Sequence, residues 1–455
     1  MDKIPYRILN LSIWGNDFIK NKDFRKVSIY SLNMSFCKNI TDEGFKYLEE
    51  IHTLRMTYCN QETITDRAFK YLRGIHTLKM NNCDQETITD KAFKYLKGIN
   101  TLNISGCTQC TITNLAFKYL RGIYRLNLSK PSCTMYKNFG SIFNNIDEEG
   151  FKYLEGINTL KIKSWTGITD RVFEHLKGIK RLDISWCSQN TITDKAFENL
   201  KGIHTLNMRN CKQETITDKA FENLKGIHTL NMAFCNQKTI TDKAFENLKG
   251  IHTLNMYYCY QDQITDKAFE NLKGIHTLNM SHCNKNISNN IFKYIKGVSK
   301  LDISDSNKQF SDKIFDNLSD IHTLIMSNCY FNDCIFANIQ RIHTLIMRNN
   351  TSITLQAFEH LKNIKILNIS NCCKLNNGEV FKYLKGVNIL IMHGCAELEI
   401  THNNYKYLEG IKYLNKYGHC PFDEVNSIKL AEKINNYKNL YTTTDIKNIM
   451  KTSYF

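Results

Sequence analysis

The chain has 455 residues, 42% of them hydrophobic, which is enough for a large buried core and excludes wholesale disorder. No run approaches the roughly 18 apolar residues that a membrane span needs, and the stretch from Met1 to Gly15 has neither an apolar h-region nor a small-residue cleavage site, so no secretory signal is read there. The net charge of +16 admits acidic partners without saying where the charge sits. The expected compartment is the cytoplasm or nucleus, where the 17 cysteines stay reduced.

In chain order, residues 1–28 read as an N-terminal cap holding a weak first unit, with Ile8, Leu11, Ile13 and Asn16 in register with the later units. From Ile29 a unit recurs 17 times, opening on Ile or Val every 21 to 24 residues as far as Ile411. The one exception is the 34-residue step from Ile123 to Ile157, which holds an insertion, Ser132–Asn145, with Cys133, Tyr136 and Phe139. Residues 203–226, 227–250 and 251–274 are near copies, each opening I-H-T-L-N-M and closing on Lys-Gly. The array runs over 29–419. Its pattern fails at Lys416, where an inward Met or Leu belongs, and 420–455 reads as a C-terminal cap.

One unit, Ile203 to Gly226, shows why the pattern folds. Leu206 and Met208 are two apart and so share the inner face of a short strand. Thr205, Asn207 and Arg209 then face outward. Cys211 ends the strand as a small, buried, weakly hydrogen-bonding residue. Thr217 or Asp218 is the N-cap of a short helix whose apolar stripe is Ala220, Phe221 and Leu224. Lys219, Glu222 and Lys225 face water, and Gly226 supplies a left-handed stop. Such a unit has an apolar side that only its neighbours can cover, so units stack. The expected architecture is α/β: an inner parallel sheet on the order of 80 Å long, with short helices outside.

The frame I-x-x-L-x-M/I/L-x-x-C followed by ITDKAF, as at Ile203–Cys211 and Ile216–Phe221, resembles leucine-rich repeats of the cysteine-containing class. That class occurs in the substrate-recognition subunits of F-box ubiquitin ligases. The resemblance implies a leucine-rich repeat solenoid, or horseshoe, of about 17–18 repeats. It departs in two ways: Lys201-Gly202 stands where a second cysteine is common, and no F-box pattern precedes the first repeat. The Asn-, Lys- and Ile-rich composition also resembles leucine-rich repeat proteins of giant DNA viruses.

The expected function is a non-enzymatic scaffold that recognises a partner protein on the concave face, as a substrate selector in ubiquitin ligation. The alternative is a nucleic-acid or acidic-surface binder acting through the positive charge. The candidate contacts are the variable pairs before the cysteine: Arg209-Asn210, Ala233-Phe234, Tyr257-Tyr258 and Ser281-His282, with Phe36, Tyr58 and Trp186 elsewhere. From these, Tyr58, Trp186, Arg209, Phe234, Tyr257, Tyr258 and His282 are taken as the partner-binding set, because aromatic and Arg side chains anchor interfaces. The first member of each pair is expected on the concave face and the second at its rim.

Other features read as structural. Eight histidines at the second position, His52 to His343, read as a packing ladder that weakens below about pH 6 as neighbours take on like charge. Twelve units carry cysteine at the ninth position, read as core; the single pair Cys107 and Cys110 is too little for zinc. Lys195, Lys219, Lys243 and Lys267, with Glu198, Glu222, Glu246 and Glu270 three residues on, read as a solvated outer face. Nucleic acid is not the expected partner: it would need a basic concave lane, and there the sequence offers mainly Thr and Asn (Thr205, Thr229, Thr253; Asn207, Asn231, Asn255). No phosphate loop, G-x-S-x-G or H-E-x-x-H occurs, so no enzyme activity, cofactor, metal, small-molecule substrate or membrane contact is expected.

Overall fold

In the computed structural model the described residues are 6–25, 27–107, 109–130, 146–283, 285–306, 310–372, 375, 378–395, 398, 404–408 and 410–415. The insertion 132–145, Lys416 and the cap 420–455 lie outside them. The chain forms two compact units, Met1–Ile227 and His228–Phe455. Each contains nine of the eighteen strands, from Tyr6–Ser12 to Thr205–Asn207 in the first and from Thr229–Asn231 to Tyr413–Asn415 in the second. Within each unit successive strands pair parallel and in step, so equal repeat positions face each other: Thr53 opposite Thr77, Leu54 opposite Leu78, and Arg55 opposite Lys79. Ile8 lies opposite Ile29 in the same way. This is the leucine-rich repeat architecture.

Counting from the opening residue, positions 1, 4, 6 and 9 of the unit at Ile203 are Ile203, Leu206, Met208 and Cys211. With Ile216, Ala220, Phe221 and Leu224 they are all buried. Each large apolar side chain so covered contributes about 1.5–3 kcal/mol, set against the chain entropy lost in ordering it. The helix is only one turn, Asp218–Glu222, and Thr217 is its N-cap, accepting from the Lys219 N–H. In the units from Ile275 on, the α-turn is replaced by 3-10 helix alone, as in Asp312–Asn317.

The N-cap threonine has a second job that its local motif does not reveal. Its backbone N–H and its hydroxyl both donate to the aspartate one unit earlier, Thr217 to Asp194 at 2.7 Å each. Thr193 on Asp170 and Thr265 on Asp242 repeat the pairing. Where Asn114 stands in for the aspartate, the sense reverses in part. Its amide donates to Asp147 Oδ1 at 2.7 Å and its oxygen accepts from the Asp147 N–H at 3.1 Å. Adjacent units are therefore clamped at the helix start.

A matching clamp lies at the end of each strand. The Cys59 thiol donates to the Met34 carbonyl, at position 6 of the preceding unit, at 3.2 Å. Cys211 on Ile184, Cys259 on Met232 and Cys372 on Met347 do the same, at 3.2, 3.2 and 3.1 Å. Trp165 and Asn350 replace the cysteine in two units yet keep the bond: Trp165 Nε1 donates to Leu128 at 2.8 Å and Asn350 Nδ2 to Met326 at 2.9 Å. At Ser306 the ninth residue has a shorter reach, and its buried hydroxyl finds no partner among the described residues.

These substitutions make donor capacity testable apart from size. Trp165→Phe keeps most of the ring and removes the N–H, so chemical denaturation should show a loss of about 1–3 kcal/mol, the usual cost of orphaning a buried carbonyl. Ser306→Cys, which supplies the longer donor, should gain about 0.5–1.5 kcal/mol in the same assay.

Candidate functional face

Outward positions 3, 5 and 7 of the strands form the open face of the sheet. The position-5 side chain folds the chain after it: Asn207 Oδ1 accepts from the Arg209 N–H at 3.2 Å, and Asn255 Oδ1 from Tyr257 at 3.0 Å. The next residue, position 8, lies in the left-handed region, at φ 54° in Asn82, 60° in Asn210 and 69° in Gly106. Asn and Gly tolerate this conformation; other residues lose about 1–2 kcal/mol in it. Yet the same slot holds Phe36, Tyr58, Trp186, Phe234 and Tyr258 at φ 56–67°. Bulky rings stand where the backbone asks for Asn or Gly.

In the first unit Tyr58 is 48% exposed and stacks on Phe36 at 4.7 Å, which meets Trp14 edge-on at 5.4 Å. Trp186, 46% exposed, lies five strands further on, roughly 24 Å away at the usual strand spacing. Arg209 is half-buried. In the second unit the candidate residues converge. Phe234 lies 5.1 Å from Tyr257 and 4.8 Å from Tyr258, and His282 lies 5.5 and 5.4 Å from the same two rings. His282 Nε2 meets Asp305 Oδ2 at 2.8 Å, and Tyr260 adds a ring 4.4 Å from Tyr258. Trp14, Tyr260 and Asp305 were not legible as members of these clusters, because they lie outside the cysteine-pair frame or were not aromatic.

The two members of each pair differ in exposure. The first member is often covered, since Ser185, Ala233 and Ser281 are buried. The second, on the left-handed turn, is exposed in Tyr58 and Trp186. Tyr257 is an exception, a half-exposed first member within the ring cluster.

The histidine lane is a stacked ladder: His52 on His76, His228 on His252 and His252 on His276, each at 4.5 Å and 11–13°. Nδ1 of His76 lies 3.1 Å from the Thr77 hydroxyl, and the other units repeat this. Among the described residues no three His, Cys, Asp or Glu side chains converge as a metal site. Burial pushes the thiols of Cys59, Cys187 and Cys283 up to about 12. They are therefore protonated donors, without the thiolate that attacks or ligates. The central Lys195–Glu198 type of pair does not close to an ion pair; Lys46–Glu43 and Lys152–Glu149 do. The face carries cations that the central copies hide, Arg55, Lys79, Arg125, Lys161 and Arg181, each at position 3 or 5 of a flanking unit.

Comparison with known proteins agrees with this architecture. The family model described as BspA type leucine rich repeat region matches in six copies, over residues 17–140, 135–252 and 262–388. No curated protein matches in sequence. Among solved structures, Toll in two forms of the Drosophila Toll–Spatzle complex aligns with TM-scores of 0.56 and 0.54 at 13% and 12% identity, covering 92% and 85% of this chain. The chain spans 62% and 58% of those Toll chains. TLR13 in its complex with ssRNA13 aligns with a TM-score of 0.50 at 15% identity, covering 91% of this chain and 78% of its own. At such identities the likeness is one of fold. No helix among the described residues is long and apolar enough to cross a membrane.

One residue of the face gives a pH test. Asp302 occupies position 5, is 5% exposed, and accepts from the Ser304 N–H at 3.0 Å. Burial outweighs that bond and lifts its pKa from 3.8 to about 6. The folded state thus holds the proton more tightly than the unfolded chain, so ionisation costs stability as pH rises from about 4 to 6. Asp302→Asn keeps an acceptor oxygen and removes the charge. It should stabilise the protein above pH 6, by about 2–3 kcal/mol from the size of the shift, with the gain vanishing near pH 4 in denaturation curves.

Proposed function

This chain belongs to the BspA-type leucine-rich repeat family, and from that premise we propose that it is a non-enzymatic scaffold holding a partner protein against the open face of its sheet. The observation that carries this reading is the set of bulky rings kept at the left-handed eighth position. Strain of about 1–2 kcal/mol per residue is unfavourable for folding and persists where a side chain is needed for something else. Phe234, Tyr257, Tyr258 and His282 form the principal anchor in the second unit, while Tyr58, Trp186 and Arg209 contribute in the first. Aromatic and Arg residues of this kind dominate interface energetics once water is excluded. The Toll–Spatzle complex is a precedent for the same fold in a protein with a named partner.

The finer role is substrate selection for a ubiquitin ligase assembled in trans, supported by the likeness of the cysteine-bearing repeat to that class. The compartment is the cytoplasm or nucleus, consistent with the free thiols of all fourteen described cysteines.

Trp186 has no ring partner among the described residues, so Trp186→Asn should relieve strain and raise stability by about 1 kcal/mol. Phe234→Asn with Tyr258→Asn exchanges strain relief for lost ring contacts and should leave stability within about 1 kcal/mol of the parent. Both variants should lose a partner that the parent retains at high salt in pull-downs read by mass spectrometry. Identical capture by parent and variants would sink the scaffold reading.

A further inference from the structure

The first unit has a surface of different chemistry. On its sheet face Arg55 and Lys79 stand directly opposite one another on adjacent strands. Arg125 and Arg181 flank Thr159, and Lys161 lies between Asn127 and Asp183. Lys130 and Lys163 follow at the turns. Arg55, Arg125, Lys161 and Arg181 are exposed; Lys79, Lys130 and Lys163 are half-exposed. Across positions 2 to 8 of the units opening at Ile51 through Ile179, the one acid is Asp183. Its Oδ1 is engaged by the Ser185 N–H at 3.0 Å and hydroxyl at 2.6 Å. None of these seven cations has an ion-pair partner within 4 Å among the described residues.

Like charges directly opposite on neighbouring strands are unfavourable. Burial, and then Arg55, lowers the pKa of Lys79, and burial lowers that of Lys130. The fold thus keeps a cationic face at some cost and supplies one carboxylate, Asp183, against seven cations. Planar rings flank this face on both rims. Along one runs the stack Tyr30–His52–His76, at 4.6 and 4.5 Å, and in the same lane Tyr124 is 42% exposed with the Arg125 guanidinium 5.4 Å over its ring. Along the other stand Phe36, Tyr58 and Trp186, each 41–48% exposed. The floor carries half-exposed hydroxyls and amides: Thr53, Thr77, Thr101, Asn103 and Asn127. A shallow hollow of about 420 Å³ opens on it, walled by His76, Lys79, Asn100, Thr101, Tyr124 and Arg125 among others.

We propose that this face of the first unit binds single-stranded RNA. Phosphates pair with the cations from Arg55 to Arg181, bases stack on the exposed rings, and 2′-hydroxyls bond the Thr and Asn groups of the floor. Backbone-tracking cations combined with stacking platforms are the recognition mode of single strands. An acidic peptide would use the cations and have no need of the rings. A duplex keeps its bases stacked, out of reach of the rings. The 2′-hydroxyl, both donor and acceptor, is what the polar floor reads in RNA and misses in DNA.

The test is fluorescence anisotropy of the full chain with labelled oligouridylate across a salt series. The parent's log affinity should fall with log salt at about −0.7 per phosphate engaged. The variant Arg55→Gln, Lys79→Gln, Lys161→Gln, Arg181→Gln should bind at least tenfold more weakly with a shallower slope, at a melting temperature no lower than the parent's. If that variant fails to fold, Arg55→Gln with Arg181→Gln gives the same test with a smaller slope change. Tyr124→Ala should weaken binding and leave the slope as it was. Polyglutamate or RNA duplex bound as tightly as oligouridylate would overturn the proposal. Oligothymidylate bound equally well would overturn the assignment to RNA, and a folded charge variant that binds like the parent would retire the site.

Discussion

Among the described residues, the carbonyl at position 6 faces the side chain at position 9 of the next unit, inside the core and away from water. An unmet carbonyl there costs about 1–3 kcal/mol, and the array presents the same problem at every step. Cysteine solves it in most units, as Cys211 does for Ile184. Trp165 and Asn350 solve it with an indole and an amide. The three side chains differ widely in volume and share a donor, so the position is defined by hydrogen bonding before size. To bring a side chain back inward at position 9, the backbone reverses at position 8, and where position 5 is Asn or Asp its side-chain oxygen braces that reversal by accepting from position 7.

The outward ring at position 8 is therefore a consequence of the inward donor at position 9. A residue placed in this slot is held by backbone geometry on one side and by a buried bond on the other, which fixes it before any partner arrives. The Thr–Asp clamp at the helix start pins the opposite end of the repeat. With both ends tied by side chains that hardly vary, positions 3, 5, 7 and 8 can change without loosening the stack. The two units use that freedom differently: the second gathers Phe234, Tyr257, Tyr258 and His282, and the first spreads Arg and Lys across its sheet.

Much of this was legible in the sequence because it is periodic. The two-residue alternation of Leu206 and Met208, the cap at Thr217 and the stop at Gly226 are local signals, and the structure keeps each of them. What escaped depends on neighbours 21 to 37 residues away. Thr217 reads as a cap from its own helix, and its bonds to Asp194 appear only when units are stacked. Trp165 breaks the cysteine column in sequence, and only the stacked structure shows its N–H on Leu128. The left-handed eighth position was hinted at by Asn82, Gly106 and Asn210, and the aromatic residues in the same column hid it. The cationic face escaped because the best-preserved copies carry Thr and Asn, while Arg and Lys occupy those columns in flanking units and meet only through strand register.

The binding face depends on the ninth-position thiols being protonated, buried donors, and native-state labelling with a small thiol reagent, read by mass spectrometry, tests this most directly. Cys211 and Cys259 should label only at the rate of unfolding, whereas exposed Cys110 should label at once. Labelling of Cys211 and Cys259 in the folded protein at the rate of Cys110 would contradict the ladder, and with it the turn geometry that carries the binding face.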